Sequence, residues 1–573
     1  MNLCTYEAMH LRIYEPIPLC HDPGVSVAYR ISWRDPNTRL YDIEIRFIAP
    51  CDSPRLILPS WRPGRYLMQY YAVNVREWSA NLRKSGISEW IADARAGNEV
   101  IVRYRYWAGV LDAGSSYLDA DEAYFNGSNL FMWIDGLREQ PATLTIEAPD
   151  DWMIETQLPH VDHHRYEARD YDHLIDSPVI AGAHLIHRTF DDFHVVSIGL
   201  DTERFIDPLR KIVRAQTEVF GEFPAREVRF LIHAGDRWHG VEHEDSCSMI
   251  VKRGAPDFDD HFLSLAAHEL FHVWNVKRIK PRVFAPYDYT RETPTRLLWA
   301  MEGITSYYGD LSLVRAGVWS VERYLKHLRA EIESLENNAS RLHTPLAQAS
   351  FDGWLHDPAR PHEKGNAWYS FYTKGELVAA LLDLTLRRRG RSLDEVMRML
   401  WQERILDEDA VARLSDEPEF FAHYVDGIDP LPYDELFAAA GIAFAIAPRG
   451  LSFGAKLKTS DGVLIIDSLI HGGTAMAAGL LQGDELIAID SIRVRTAAEA
   501  ERCISGGQAP WPVPRFDEDR QEHLSSTSLE ILYARAGATK RSEVVPRAAG
   551  VQVELTVVDE ENALRAEWLR RIE

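Results

Sequence analysis

The sequence predicts a multidomain α+β protein. It divides into an N-terminal antiparallel β domain over residues 1–188, a mixed α/β plus helical domain over 189–446, and a smaller β-rich unit over 447–573. Three observations carry this. Short runs rich in β-branched and aromatic residues fill the first third, helix-periodic stretches dominate the middle, and short strands return at the end. Length agrees, since 573 residues at roughly 150 per domain allow about two to four units.

In the first unit VSVAYRISW, YDIEIRFIAP, EVIVRYRYWAGV and ATLTIEAP partly alternate apolar and polar residues, with Pro, Gly, Asn and Asp between them. LPSWRPGRYLMQYYAVNVREWSA interrupts the pattern with Trp61, Pro63, Gly64 and paired tyrosines, and reads as an aromatic-capped loop. HVDHH at 160–164 is metal-like in composition alone. It lies in a polar stretch without an apolar frame and reads as surface. In the second unit residues 207–220 form one amphipathic stretch, VRFLIHAG is a strand, and helical patterns run to about residue 440.

The chemistry concentrates in His268-Glu269-Leu270-Phe271-His272. On a helix, positions i and i+4 share a face, so both imidazoles reach one ion, and Glu269 projects beside it where it can take a proton from bound water. The segment FDDHFLSLAAHELFHVWNVKRIKP reads as one buried helix, with Asp259 and Asp260 suiting its N-terminal end and Lys277, Arg278 and Lys280 its C-terminal end. Histidines inside such a helix are costly without partners.

A third ligand is offered by TPTRLLWAMEGITSYYGDL, where Thr293 as N-cap and Pro294 at N1 open a second helix carrying Glu302. Glu302 sits among Leu298, Trp299, Met301, Ile304 and Tyr307, so its carboxylate wants a cation, either a metal or an arginine such as Arg296. Two His and one Glu leave zinc a fourth position for water. Ligands of this kind favour Zn2+, one per chain, over cobalt or manganese. Asp310, two turns along, either orients a ligand histidine or is a solvated carboxylate.

HExxH followed by a helical Glu-Gly resembles the gluzincin metallopeptidases. The strings HELFHVWNVKRIKP and LLWAMEGITSYYGDL, with LPSWRPGRYL upstream, resemble the glycyl aminopeptidase family, metallopeptidase family sixty-one. The resemblance spans most of the chain and implies a thermolysin-like (gluzincin) catalytic domain. It also gives two further segments a meaning. Gly240-Val241-Glu242-His243 resembles the Gly-x-x-Glu edge strand whose backbone pairs with extended substrate and whose Glu receives the free α-ammonium. His243 then either supports Glu242 or lines the site. Tyr372-Thr373-Lys374-Gly375 resembles the segment whose tyrosine stabilises the oxyanion, with Tyr369 the competitor one turn earlier. The resemblance implies small first residues such as Gly or Ala. The chain departs from the family pattern in having Met301 before and Ile304 after the Glu-Gly pair, which bears on pocket shape.

GVLIIDSLIHGGTAMAAGLLQGDELIAIDSIRV resembles a PDZ domain, with RGLSFG at 449–454 as its carboxylate-binding loop, and implies a peptide or protein C-terminus as partner. The loop QAPWPVPRFDEDRQEHLSS splits this unit.

The formal charge is −24, from 63 basic and 87 acidic residues, which argues against nucleic acid and anionic lipid as partners. Five scattered cysteines without a CxxC pair suggest neither a disulfide framework nor a thiolate zinc site, and fit a cytoplasmic setting. MNLCTYEAMHLRIYEPIP lacks a basic-then-apolar leader pattern, and no run of about 18 apolar residues suggests a membrane span. The reading is a zinc aminopeptidase acting on peptides with a free N-terminus. Its rivals are a zinc endopeptidase to which the PDZ unit recruits substrates, and an inactive peptide-binding adaptor.

Overall fold

The computed structural model describes residues 27–356, 366–448, 451–504, 528–548 and 550–572. The leader reading of residues 1–18, the first two residues of the 449–454 loop and the acidic loop at 508–526 lie outside them.

Alternation in the first unit builds sheets. In strands Leu40–Ile48 and Glu99–Trp107 every second residue is buried, and the buried sets pair across the register as Tyr41 with Tyr106, Ile43 with Tyr104, Ile45 with Val102 and Phe47 with Val100. Each such side chain removed from water contributes about 1.5–3 kcal/mol. The sheet they join has seven strands and is mixed, because Val27–Ser32 runs parallel to Ala142–Glu147. Two four-stranded sheets complete the unit. HVDHH lies at its exposed edge, with His163 and His164 stacked on each other.

The strand Ile186–Phe190, which straddles residue 188, pairs into a different sheet. That sheet has five strands, in the order Ile186–Phe190, Phe193–Ile198, Val228–Gly235, Ser246–Lys252 and His239–Glu242. The last is an edge strand, so its outer side faces no other strand. Helices α1 (Ile206–Phe220) and α2 (Phe258–Phe271) pack against this sheet, and α3 (Ile304–Arg315), α4 (Val321–Glu336) and α5 (Phe371–Arg387) build outward from them. One large apolar core joins them. A small apolar cluster of Tyr124, Ile180, Val196 and Leu231 seals the first unit onto the sheet.

The strand Ile442–Pro448, which straddles residue 446, pairs antiparallel with Val551–Val557 near the chain end. The following helix Ala563–Trp568 returns to the central core, where Trp568 is fully buried and its indole N–H donates to Tyr307 at 2.8 Å. Between these two strands lies a separate sheet with its own core, from Phe453 to Val544. Among the described residues its edge strand Ala455–Ser460 pairs only with Val463–Leu469, and α6 (Ala497–Ile504) lies beside it. No helix among the described residues is long and apolar enough to cross a membrane. Cys51 and Cys247 are free thiols.

Candidate active site

Helix α2 carries the HExxH motif as expected, with Asp259 and Asp260 in its first turn, but it ends at Phe271. The basic residues beyond it do not cap the helix. Lys277 pairs with Asp176 at 2.7 Å and Arg278 with Asp245 at 2.6 Å, so they anchor loops instead.

Glu302 departs from the simple helix expected. Residues 293–297 are not helical, and Trp299–Gly303 is a π-helical turn that leads into α3. A π turn leaves carbonyls without their usual partners. Asn275 supplies them: its side-chain amide donates to the carbonyls of Ala300 (3.0 Å) and Met301 (3.2 Å) and to Thr305 Oγ1 (2.9 Å). Its backbone carbonyl lies 3.2 Å from His272 Nδ1. One asparagine therefore fixes both the ring of His272 and the turn that bears Glu302.

These elements bring His268, His272 and Glu302 together. The two Nε2 atoms are 3.1 Å apart, and Glu302 Oε2 lies 3.5 Å from the first and 3.4 Å from the second. Donors bound to one zinc at about 2.0–2.2 Å in a tetrahedron sit about 3.3 Å from each other, so this set fits the ion. Burial would raise the Glu302 carboxyl, but hydrogen bonds and charge from the two histidines hold it well below the usual range. His268 Nδ1 faces Ser306 Oγ at 3.3 Å.

Asp310 does not take the ligand-orienting place considered for it. It accepts from Ser264 at 2.7 Å and pairs with His327 at 2.9 Å, because α3 turns its carboxylate toward α4, while Ser306 one turn earlier meets the ligand ring. It is also buried, not solvated.

Glu269 and Glu242 approach from the other side. One ligand atom from each lies within 4.8 Å of the other and of His272. Both carboxylates are buried, and Glu242 Oε1 and Glu269 Oε2 have no hydrogen-bond partner among the described residues. Burial pushes the Glu269 carboxyl up to about 8, against the pull of His272. Gly240 makes this approach feasible, since a Cβ there would stand 2.0 Å from Glu269 Oε1.

The pair Tyr372 and Tyr369 separates cleanly. Tyr372 lines the cleft, whereas Tyr369 points away and donates to the Thr344 carbonyl at 2.8 Å. Burial, with the charges of Glu302, Glu242 and Glu269, pushes the Tyr372 phenol well above its usual range, so it stays a donor. The cleft holds about 480 Å³, with Trp238, His239, His261 and Leu265 on its other wall. His243 does not reach it. Its Nδ1 lies 3.3 Å from Asp176, and it lines a smaller cavity of about 50 Å³ on the far side of Glu242.

Sequence reasoning missed Tyr66, which donates to Glu302 Oε1 at 2.6 Å from the loop SWRPGRYL of the first unit. That loop is pinned by Trp61, fully buried, whose indole donates to the Asp288 carbonyl at 2.7 Å. Its Gly64 adopts φ +73 and packs on Glu242, where a Cβ would fall 2.3 Å from Oε2. The available signal was the density of aromatic residues, glycine and arginine in a loop between strands. Asn275 was also missed, although it lies three residues past the motif.

The chain matches the M61 glycyl aminopeptidase model over residues 261–378 and the Peptidase M61 N-terminal domain model over residues 28–183. No curated protein matches it. Among solved structures it is similar to an aminopeptidase N family protein from Idiomarina loihiensis, with 26% identity, a TM-score of 0.86, and coverage of 95% of this chain and 100% of that one. Weaker likenesses include the M1 zinc metallopeptidase from Deinococcus radiodurans (14% identity, TM-score 0.47, 72% of this chain and 96% of that one) and yeast LTA4 hydrolase (12%, 0.42, 72% and 67%). The two family matches, with the likeness to the Idiomarina protein, support a peptidase.

Proposed function

We propose that the chain is a zinc-dependent aminopeptidase that removes small N-terminal residues, Gly or Ala, from peptides. The observation that carries this reading is Glu242, a buried carboxylate with an unpartnered oxygen, held beside Glu269 and the ligand triad at an open strand edge. Such a group suits a substrate's free α-ammonium, and fixing that ammonium places the first peptide bond, and no later one, at the reacting centre.

His268, His272 and Glu302 would hold the ion, and a zinc there supplies a Lewis acid that polarises the scissile carbonyl and acidifies water. Glu269 takes the proton of the attacking water and returns it to the leaving amine. Burial raises its proton affinity, which helps it hold the proton between the two steps. Tyr372, kept neutral, donates its O–H to the carbonyl oxygen as negative charge grows there. The backbone of His239–Glu242 pairs with the extended substrate.

We also read the sheet with edge strand Ala455–Ser460 and α6 as PDZ-like. The unpaired edge beside a helix is a place where an extended peptide C-terminus can add as a strand.

The test is hydrolysis of glycyl- and alanyl-p-nitroanilide against their N-acetylated forms, with and without chelator, for wild type and Glu242→Ala. The expected result is chelator-sensitive cleavage of free-amine substrates alone, lost in the variant. Cleavage of blocked substrates would instead favour the endopeptidase. Inactivity of metal-loaded protein on all of them would favour the adaptor.

A further inference from the structure

Helix α3 carries a second histidine–carboxylate cluster, eight residues beyond Glu302. His327 Nε2 on α4 lies 2.9 Å from Asp310 Oδ2 on α3 and 2.8 Å from Glu376 Oε1 on α5. Both carboxylates are buried, and the histidine side chain is 20% exposed. One ring nitrogen thus joins three helices. Each has a stake in the cleft or its frame: α3 follows the turn of Glu302, α5 carries Tyr372 in its first turn, one turn before Glu376, and Asp310 also accepts from Ser264 on the helix of His268.

Near this cluster α3 and α5 cross with almost no side chain between them. A Cβ on Gly303 would stand 2.4 Å from Gly375 Cα, so the residue after Glu302 meets the residue before Glu376 backbone to backbone. Such a smooth contact allows close packing but offers no interlocking ridge against sliding or rotation. Register must be fixed elsewhere, and the ion cluster is placed to do so. Two buried carboxylates facing each other repel unless a cation lies between them.

We propose that His327 is a positioning residue whose imidazolium clasps Asp310 to Glu376 and so holds Tyr372 in place against Glu302 and the cleft. The proposal rests on the reading that Tyr372 donates to the developing oxyanion. The cation is the ring itself. In the cleft three donor atoms converge on one point beside open space, where an ion can sit. Here a single imidazole faces two carboxylates and supplies the charge.

The test compares His327→Gln, Glu376→Gln and His327→Lys with wild type, each also in a Tyr372→Phe background. It reads kcat and KM on alanyl-p-nitroanilide, zinc per chain and the thermal midpoint. Displacing a donor by a fraction of an ångström should lower kcat by about 10- to 100-fold in the Gln variants, with KM within about twofold. Zinc should stay at one per chain. His327→Lys, which keeps a cation, should recover part of kcat. In the Tyr372→Phe background the Gln changes should add little further loss, as expected for groups acting through one another. A normal kcat in folded His327→Gln or Glu376→Gln overturns the clasp while leaving Tyr372 its role. Equal losses in both backgrounds overturn it too, and a second zinc lost with His327 shows a metal site instead. If Tyr372→Phe alone leaves kcat intact, the role of Tyr372 falls first and the clasp's purpose with it.

Discussion

The two clusters along α3 use the same side chains to opposite ends. At the start, His268, His272 and Glu302 meet around a point open to the cleft, with two Nε2 atoms 3.1 Å apart. Two turns later, Asp310, His327 and Glu376 close on each other away from the cleft, and burial is overcome by the carboxylates, which push His327 up to about 12. The difference lies in how the donor atoms are arrayed and in access. Three donor atoms converging on one point beside a cavity suit a metal, whereas two carboxylates closing on one ring away from the cleft make that ring the cation. Sequence position and residue type alone would not separate these cases.

The sharpest way to break this comparison is at the open cluster. Glu269→Gln removes the proton carrier but none of the three ligands. It should lower kcat by roughly 100- to 10,000-fold while zinc stays at one per chain by metal analysis. Loss of zinc in that variant would mean that Glu269 belongs to the ligand set and that the open cluster has been misdrawn.

A finer probe is Asn275→Ala. This side chain touches neither substrate nor ion, yet it holds the carbonyls of the π turn and its backbone positions His272. Outer groups of this kind are worth about 10- to 100-fold in metal affinity. Competition against a zinc-chelating dye should show a loss of that size. The closed cluster predicts no such effect, so Glu376→Gln measured alongside should leave zinc affinity unchanged.

Much of this was legible in the sequence, for identifiable reasons. The HExxH spacing encodes a helix face directly, and Glu302 stood out because an acid among Leu298, Trp299, Met301 and Tyr307 has few ways to exist. Alternation in the first unit pointed to its strands. What stayed hidden depends on long-range contact. Nothing local signals that Tyr66 arrives from 236 positions away, that Asp310 turns to α4, or that the chain returns at Trp568 to the central core. The Thr293-Pro294 helix start misled because N-terminal propensity is weak beside the constraint that Asn275 and the π turn impose. The boundaries at 188 and 446 were placed by composition, yet both fall inside strands: Ile186–Phe190 pairs with the strand that follows it, and Ile442–Pro448 with Val551–Val557 near the chain end.

A third meeting of the same residue types tests the rule where neither metal nor excess charge is present. At the seam between the first unit and the central sheet, His233 Nε2 lies 3.9 Å from Glu122 Oε2, both buried and neither atom hydrogen-bonded among the described residues. Burial wins on both sides here. It lowers His233 to about 4 and, with the charges of Asp119 and Asp121, raises Glu122 to about 7. A carboxyl whose folded value is raised binds its proton more tightly in the native state. Its contribution is therefore fully present below about pH 4.5 and is lost as pH rises through about 7. Glu122→Gln, which mimics the neutral acid, should match wild type in stability near pH 5 and exceed it above pH 8 by on the order of 3 kcal/mol. Denaturant unfolding at both pH values, followed by a probe of the interface, reads the difference. An equal effect at the two pH values would show that Glu122 is charged throughout, and that proximity of a lone histidine at 3.9 Å suffices to hold a buried carboxylate ionised.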